Sequence, residues 1–435
     1  MKVGVVSLGC SKNRVDTELM LGILAQAGYE IVADEAQADI LIVNTCGFIE
    51  PAKQESIDTI LSLAEYKTTG NLKLLVATGC LAQRYEKDLL EAMPEVGLLL
   101  GVSQYPTLPE AIEKALGGKR LSYCQRDGNI LSGERVLTTA PYSAYIRIAD
   151  GCDNRCTYCA IPLIRGGFRS RSMDGVLEEI RTLAEQGVRE HILVAQDTTR
   201  FGVDTAGRSL LPELMVKAAD IPGVEWLRVL YCYPDEVSEE LLEAMNSRPN
   251  ICKYLDLPLQ HADAELLRRM NRRGDIEKVR GLLQKAKEMG FTLRTTFITG
   301  FPGETEEQFA ALMRFTEELR FDRLGAFAFS PEEDTPAALM ADQVPEALRE
   351  ERLEKLMLRQ QEISLERNRQ RVGTVERVLV EAIREDGTLV GRSEKEAPET
   401  DGVIFVAGEG TEEIGTFISV KITGAEHYDL LGVMI

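Results

Sequence analysis

The sequence predicts an α/β protein in three parts. These are an N-terminal open parallel sheet with helices (residues 1–120), a central partial (β/α)6 barrel (141–371) and a small C-terminal antiparallel β-barrel (372–435). Apolar strand-like runs alternate with helical stretches through the first two parts, which is the pattern of parallel sheets. From about residue 372 the helical stretches cease and short strand-like runs follow, as in small barrels. A length of 435 residues is typical of about three domains.

The N-terminal part contains four strand–helix pairs of the length that a crossover unit requires. The predicted strands are Val3–Leu8, Asp39–Asn44, Lys73–Thr78 and Leu98–Leu100, and the predicted helices are Asp16–Ala27, Lys53–Tyr66, Glu86–Met93 and Pro109–Leu116. Residues 121–140 are polar and are predicted to connect this sheet to the next part.

A cysteine follows each of the first three predicted strands, namely Cys10, Cys46 and Cys80. They are 36 and 34 residues apart, about one βαβ repeat, and each stands beside a glycine. Open parallel sheets bind ligands at the edge where their strands end, so three thiols at that edge can converge on one metal centre. The alternative is three unrelated buried cysteines, because free cysteine is common in protein cores.

The central part alternates six predicted strands with five predicted helices. The strands are Ala144–Ala149, His191–Ala195, Trp226–Tyr231, Tyr254–Leu257, Thr292–Ile298 and Arg323–Phe329, and the helices are Met173–Gln186, Leu210–Ala219, Ser238–Met245, Ile276–Met289 and Glu306–Leu319. Six units fall short of the eight of a closed barrel, and the site of such a barrel lies where its strands end. The charged stretch Pro345–Arg371 is predicted to form one helix that packs on the barrel.

Three cysteines after the first barrel strand form the most informative motif of the chain. Cys152, Cys156 and Cys159 follow the spacing C-x3-C-x2-C, and the next cysteine is Cys232. Four thiolates normally hold a [4Fe–4S] cluster, so three leave one iron with an open position, where chemistry can occur. A zinc site is the alternative, but it needs a fourth ligand nearby, and all three histidines lie far along the chain.

Composition narrows the class of protein. A net charge of −20 disfavours binding to DNA and nonspecific binding to other nucleic acids, and it favours a basic partner; plain solubility explains the charge equally well. No apolar run approaches the length of a membrane span or a signal peptide. Nine cysteines without an export signal favour the reducing cytoplasm over a disulfide framework, so we expect a cytoplasmic protein with no membrane partner.

The C-terminal part is also acidic. Its predicted strands are Thr374–Glu381, Thr388–Arg392, Val403–Val406, Phe417–Ala425 and Asp429–Met434, with turns at residues 385–387 and 407–410. Thirteen acidic and five basic residues give it a net charge of −8, which is the wrong sign for an RNA-binding module.

The C-x3-C-x2-C motif, with Tyr158 before its last cysteine, resembles the signature of the radical S-adenosylmethionine (SAM) enzymes. The resemblance implies that Cys152, Cys156 and Cys159 hold a catalytic [4Fe–4S] cluster whose open iron binds SAM. It further implies that an electron from this cluster cleaves SAM to methionine and a 5′-deoxyadenosyl radical, which abstracts a hydrogen atom from the substrate.

The order of the three parts resembles the methylthiotransferases over essentially the whole chain, and the last part resembles a TRAM module. The resemblance implies two [4Fe–4S] clusters, the second held by Cys10, Cys46 and Cys80, with SAM as methyl donor and radical source. It also implies an electron donor such as a flavodoxin, and a sulfur source, as partners.

Within that family, one branch modifies an aspartate of small-subunit ribosomal protein twelve and the other an adenosine of tRNA. Three stretches resemble the first branch: Leu8–Asn13, Val194–Thr199 and Leu257–His261. Ser11 departs from the proline more usual there. The resemblance implies methylthiolation at the aspartate β-carbon, with the basic ribosomal protein or assembled small subunit as partner. A tRNA enzyme, or an electron carrier or scaffold without catalysis, remains the alternative.

Other positions are predicted to bind cofactor less specifically. The predicted set is Tyr158, Gln196, Gly300, Arg171 and His261. For Gly300 the alternative is a structural turn, for Arg171 an ordinary surface arginine, and for His261 the end of a strand. The cysteines outside the two triplets, Cys124, Cys232 and Cys252, are expected to be plain thiols.

Overall fold

A computed structural model describes residues 1–125, 130, 132–408 and 412–435. Most of the predicted connector motif at residues 125–129, and half of the turn at 407–410, lie outside the described residues. The predicted fold class is confirmed: an open parallel sheet, a partial α/β barrel and a small closed barrel follow one another along the chain. Among the described residues, every helix is too short or too polar to cross a membrane.

The N-terminal sheet has six parallel strands in the order β2-β1-β3-β4-β5-β6. The strands are β1 Lys2–Ser7, β2 Glu30–Ile31, β3 Ile40–Thr45, β4 Leu74–Gly79, β5 Leu98–Leu100 and β6 Leu121–Tyr123; the helices are α1 Ser11–Gln26, α2 Glu50–Ala64, α3 Tyr66–Thr69, α4 Cys80–Arg84, α5 Glu86–Ala92 and α6 Leu108–Leu116. The two edge strands were not predicted, because two or three residues are too few to show a period. Strand β6 lies within residues 121–140, which were predicted to form a connector. The boundaries of the three domains stay predictions.

Both faces of this sheet are covered, which explains its continuous apolar strands. In β3, Leu41 and Val43 pack on one face, while Ile40 and Ile42 pack on the other. A fully buried strand of this kind reads as an unbroken apolar run, so its sequence predicts it well.

Six of the eight strands in the central part run in parallel and form an arc with helices outside it. Its strands are β7 Ser143–Arg147, β8 Ala149–Asp150, β9 Arg169–Ser170, β10 Glu190–Val194, β11 Trp226–Val229, β12 Tyr254–Gln260, β13 Thr292–Thr299 and β14 Arg323–Ala328; its helices are α7 Ile161–Arg165, α8 Met173–Glu185, α9 Val203–Ala206, α10 Leu211–Ala219, α11 Glu239–Asn246, α12 Ala264–Arg269, α13 Ile276–Glu288, α14 Glu306–Leu319 and α15 Glu346–Arg369. Two three-stranded sheets, β7-β10-β11 and β12-β13-β14, meet where Leu227 bridges Ile251. Strands β8 and β9 form a separate antiparallel pair beside the arc.

The C-terminal part is a closed barrel in the order β15-β16-β17-β19-β18. The strands are β15 Val375–Ile383, β16 Leu389–Arg392, β17 Ile404–Ala407, β18 Phe417–Ala425 and β19 Leu430–Met434. Four of the five strand pairs are antiparallel as predicted, and β17 pairs with β19 in parallel. A ring with an odd number of strands cannot alternate direction throughout, so one parallel pair is unavoidable.

Buried ion pairs fasten the three parts together. Asp16 of α1 accepts hydrogen bonds from Arg147 of β7 and Arg165 of α7. On another side of the arc, Glu190 of β10 is paired with Arg392 of the C-terminal barrel. The contacts of Asp16 hold the N-terminal part against the region of the second cysteine triplet, and the Glu190–Arg392 pair holds the C-terminal barrel against the arc.

Candidate iron–sulfur sites

Cys10, Cys46 and Cys80 lie at one edge of the N-terminal sheet. Cys10 precedes α1 after β1, Cys46 follows β3, and Cys80 begins α4 directly after β4. These three strands are neighbours and run in parallel, so the thiols arrive side by side. Close backbone approach here requires glycine: a Cβ added at Gly9, whose φ is +88°, would lie 3.0 Å from the Cβ of Cys46.

The three N-terminal thiols influence one another electrostatically. Desolvation acts to raise the pKa of Cys10, but the positive charges of Lys12 and Arg165 outweigh it, so this pKa lies below its ordinary value. Burial raises the pKa of Cys46, and it raises the pKa of Cys80 to about 12, with the neighbouring thiols adding to both shifts. The charges of Lys12 and Arg165 thus distinguish Cys10 from the other two thiols of this set.

The second triplet lies in the loop between β8 and α7. The loop folds back on itself, because the Cys152 backbone N–H donates to the Gly166 carbonyl at 3.1 Å and that of Cys159 donates to the Cys156 carbonyl at 3.0 Å. Gly151 makes the reversal possible: its φ is +75°, and an added Cβ would lie 2.1 Å from the Gly167 carbonyl oxygen.

Burial makes two of these loop thiols, Cys152 and Cys159, weak acids. It raises the pKa of Cys152 to about 11 and that of Cys159 to about 12, and neighbouring thiols of the loop add to the rise. Cys156 is buried, with the Arg272 guanidinium 3.9 Å from its Sγ. A coordinating metal deprotonates such thiols, so metal loading would release protons.

A cluster held by each triplet stays a prediction. Among the described residues, no three Cys, His, Asp or Glu side chains converge as the ligands of one ion do. In a cubane each cysteine binds a different iron, which requires thiols that are near one another but not in contact. Three thiols per set, without a fourth ligand, fit a cluster that keeps one iron open.

The two triplets are neighbours across the interface between the first two parts. Arg165, six residues beyond Cys159, donates to Asp16 at 2.7 Å and to the Asn13 side chain at 2.8 Å, and it lies 3.9 Å from the Sγ of Cys80. Cys80 also packs against α7 and the residue before it. The helix that follows the second triplet therefore packs directly against the sheet edge that carries the first.

Gln196 has the character of a ligand-binding side chain. Its amide nitrogen and oxygen are both buried, and neither has a hydrogen-bond partner within the part of the chain that the structure describes. Its neighbour Asp197 accepts a 2.8 Å hydrogen bond from Asn154 of the cysteine loop. An unpaired buried amide is costly unless a bound molecule satisfies it, so this position beside the loop suits SAM.

Family models match all three parts of the chain. The model described as "Uncharacterized protein family UPF0004" matches residues 2–101, the "Radical SAM superfamily" model matches 146–316, and the "TRAM domain" model matches 372–435. The predicted resemblance to the radical SAM enzymes and to a TRAM module is thereby confirmed.

Full-length relatives decide the family. A protein of Heliobacterium modesticaldum is 49% identical over 439 residues, covering 100% of this chain and 95% of its own, and one of Clostridium botulinum (strain Loch Maree) is 48% identical over 438 residues, covering 100% and 98%. Both are named ribosomal protein uS12 methylthiotransferase RimO. This chain belongs to the RimO family.

Solved structures support the fold of this RimO-family chain. The radical SAM methyltransferase TsrM of Kitasatospora setae superposes with a TM-score of 0.57 at 16% identity, over 78% of this chain and 74% of its own. The cobalamin-dependent radical SAM enzyme OxsB gives a TM-score of 0.53 at 15% identity, over 81% and 56%. At such identities the likeness concerns the fold alone.

Two of the other predicted cofactor contacts, Arg171 and Gly300, contact protein groups in the RimO-family chain. Arg171 donates to the Arg147 carbonyl at 2.9 Å and pairs with Glu179. Gly300 has a φ of +69°, and an added Cβ would lie 2.2 Å from Arg349 of α15. Arg171 is therefore not an ordinary surface arginine, the contact of Gly300 with α15 agrees with a structural turn, and cofactor binding by both residues stays a prediction.

His261 and Tyr158 each make one hydrogen bond to a protein group, and the buried Nε2 of His261 has no hydrogen-bond partner among the described residues. His261 is buried, and its Nδ1 accepts from the Asp263 backbone N–H at 3.0 Å while its Nε2 lies 3.5 Å from Glu304. The Tyr158 hydroxyl accepts from Arg272 at 3.3 Å. Tyr158 thus lies beside the cysteine loop, whereas His261 is fixed at the end of β12; both assignments stay predictions.

Sequence reasoning gave no role to two charged side chains beside the thiols. Arg272 contacts Cys156 from 116 residues along the chain, and no sequence pattern announces such a contact. Lys12 lies two residues after Cys10 and is only 7% exposed. A cation so close to a candidate ligand was a signal that the sequence did offer.

Proposed function

We propose that this chain replaces a hydrogen on the β-carbon of an aspartate in ribosomal protein uS12 with a methylthio group. The observation that carries the proposal is the near-50% identity, over the whole chain, to relatives named as uS12 methylthiotransferases. The adjacency of the two cysteine triplets supports it, because sulfur insertion at an unactivated carbon needs a hydrogen abstractor and a sulfur donor close together.

Each triplet would hold one [4Fe–4S] cluster: Cys152, Cys156 and Cys159 the first, and the N-terminal set the second. When bound, SAM and the two clusters supply the hydrogen-abstracting radical, the sulfur and the methyl group. The chain contributes six thiolates, the unpaired amide of Gln196, and Arg165, which ties the two sites together. Its loop and sheet edge fix the distance between the sites before any substrate binds.

The proposed partner is uS12, free or in the assembled small subunit, as the names of the relatives suggest. Because ribosomal proteins are basic, the excess of acidic over basic residues from 372 to 435 suits such a partner. An electron donor such as a flavodoxin and a sulfur source would complete the reaction in the cytoplasm.

The test offers reconstituted enzyme both substrates, uS12 or small subunits and tRNA, with SAM and a strong reductant. Mass spectrometry should find the methylthio increment on the aspartate of uS12 and none on tRNA. Label on tRNA alone would move the chain to the other branch. Absence of SAM cleavage under these conditions would favour an electron carrier or scaffold.

A further inference from the structure

Lys12 is a buried cation that faces the space between the two cysteine triplets. It lies in the first turn of α1 and is 7% exposed. Its Nζ stands 3.3 Å from the centre of the Tyr231 ring, at the end of β11, across the interface from its own sheet. The side chain therefore reaches from beside Cys10 to the rim of the central arc.

Lys12 has no carboxylate at ion-pair distance within the part of the chain that the structure describes; Tyr231 and Cys10 favour its charged form, and the like charge of Arg165 opposes it. The other lysine buried to this degree, Lys53, is paired with Glu50 and Glu332. Buried lysines are rare unless paired, because an ammonium loses its hydration on burial. A carboxylate supplied from outside the chain would add the ion-pair partner that Lys12 lacks.

The backbone of Tyr231 has an unfavourable conformation. Its φ is +62°, in the left-handed region that bulky residues avoid, and such strain concentrates at functional sites. The surroundings enforce it: the Tyr231 backbone N–H donates to Asp256 at 2.8 Å, and its carbonyl accepts from the Thr198 backbone N–H at 3.1 Å. The ring is thereby held beneath the Lys12 ammonium.

Lys12 also lies on a short line of contacts between the triplets. Asn154 of the cysteine loop donates to Asp197, the neighbour of the unpaired Gln196 amide. Thr198 is bonded to Tyr231, which carries Lys12 above its ring. A reacting carbon must lie between the two thiol sets, and Lys12 lies at the interface between the two parts that carry them.

We infer that the Lys12 ammonium binds the carboxylate of the acceptor aspartate and so positions its β-carbon; this inference rests on the proposed function. The carboxylate carbon is bonded directly to the β-carbon, so a cation that fixes the carboxylate also fixes the hydrogens to be abstracted. The arrangement selects an acidic acceptor side chain, since an uncharged one would leave Lys12 unpaired.

The test is a double-mutant cycle on binding. The affinity of the anaerobically reconstituted wild type and of Lys12→Gln is measured for uS12 and for uS12 whose acceptor aspartate is changed to asparagine. Lys12→Gln should weaken binding of the aspartate form about ten- to hundredfold and leave binding of the asparagine form unchanged within about twofold. Lys87→Gln, at an exposed lysine of α5, is the matched control and should change neither affinity.

Because Lys12 is near Cys10, iron content is measured for each variant. If Lys12→Gln retains less iron than the wild type, Lys12→Arg is used in its place. Lys12→Arg should keep the preference for aspartate over asparagine, because it keeps the positive charge. An equal loss on both forms of uS12, or no loss on either, would overturn the role of Lys12. Failure of the wild type to bind or modify uS12 would instead overturn the proposed function.

Discussion

Arg165 shows how single residues tie the two candidate sites together. Its guanidinium is buried, and it meets the carboxylates of Asp16 at 2.7 Å and Asp150 at 3.3 Å. Both acids are themselves buried, so the arginine neutralises charges that water cannot reach. The residue thus acts on the fold and on the geometry of the sites at once.

Arg165→Met should lower the free energy of unfolding by about 3 kcal/mol, because it leaves buried carboxylates short of a partner. Urea titration at neutral pH measures the change. Arg181→Met removes an arginine that is paired with Glu178 on the exposed face of α8, and it should cost less than about 1 kcal/mol. Similar losses for both variants would contradict the importance of the buried network.

The six cysteines provide a second test at this scale. Changing Cys152, Cys156 and Cys159 together to Ala should remove about half of the iron bound by reconstituted protein and abolish SAM cleavage, since four irons are expected per cluster. Iron analysis and product chromatography provide the readouts. Loss of all the iron would contradict two independent sites.

The converse triple variant concerns the N-terminal set. With Cys10, Cys46 and Cys80 changed to Ala, reductive SAM cleavage should persist while methylthiolated product disappears. The separate sheet edge that holds this triplet is the physical reason, because the cysteine loop of the arc keeps its own hydrogen bonds. Product at near wild-type yield would show that the N-terminal triplet is dispensable.

At the scale of elements, the loop after β8 depends on one glycine. Gly151→Ala would place a Cβ 2.1 Å from the Gly167 carbonyl oxygen at a φ of +75°. We expect a lower iron content at the loop triplet and a loss of about 2 kcal/mol of stability, from strain and displaced backbone. Gly281→Ala in α13 is the control: an added Cβ there meets nothing within 4 Å and should stabilise the helix by up to about 1 kcal/mol.

Iron analysis and thermal unfolding of the two glycine variants check this pair. Equal iron content in Gly151→Ala and wild type would show that the loop tolerates the added carbon. A destabilised Gly281→Ala would mean that helix propensity does not govern α13.

The sequence predicted elements well where a whole period was visible. Helix α14 begins and ends as predicted, and β3 shifts by one residue. The edge strands β2 and β6 were not predicted from the sequence. They add only two and three residues to a sheet that their neighbouring strands define. The parallel pair of β17 and β19 follows from closing five strands, a property of the ring that no strand carries in its own sequence.

The candidate site also has features that could be predicted from the sequence and features that could not. Both cysteine triplets could be predicted, because spacing and strand ends are local properties. Contacts made by Arg272 and Lys12 could not, because they depend on how the arc, its loops and the N-terminal sheet pack together. For His261, the sequence left a ligand contact and a strand end equally open; the fold provides the Asp263 backbone N–H as a hydrogen-bond donor to Nδ1, and the ligand contact stays a prediction.

At the scale of the whole molecule, the C-terminal barrel is fastened by a buried charge cluster. Glu190 is paired with Arg392 of the barrel and with Arg228 of β11, and all three are buried. Burial acts to raise the pKa of Glu190, but the two arginines outweigh it and lower this pKa to about 2. The stabilisation is therefore present above the ordinary glutamate pKa and is lost as pH falls from about 4.5 to about 2.

Glu190→Gln should destabilise the protein by about 3 kcal/mol at neutral pH, because it leaves two buried arginines without their shared carboxylate. The difference in stability from the wild type should narrow as pH is lowered below about 4.5. Below that pH the unfolded wild-type chain begins to bind a proton at Glu190, which reduces the stability that the ion pairs of Glu190 provide. Denaturant titrations at a series of pH values measure it. A difference that stays constant across that range would contradict the lowered pKa.

Other ion pairs neutralise part of the acidic side chains of the C-terminal barrel. Glu396 is bound by Arg323 and Arg371, and Glu376 by Arg371 and Lys395, so part of the net charge of −8 is used inside the molecule. Deleting residues 372–435 would strip Glu190 of a partner, so loss of activity after deletion would not isolate substrate recognition. Reversing exposed charges is the cleaner experiment.

Glu385 and Asp386 form the exposed acidic turn between β15 and β16. Changing both to Lys should weaken association with basic uS12 several-fold at low salt, and the effect should vanish near 1 M salt, where charges are screened beyond about 3 Å. The control makes the same change of net charge at Glu240 and Glu243 of α11, both exposed on the central arc. Association rates measured for both variants across ionic strength separate a local effect of the turn from a general effect of net charge. Equal weakening by both pairs would mean that overall charge, and not this turn, attracts the substrate.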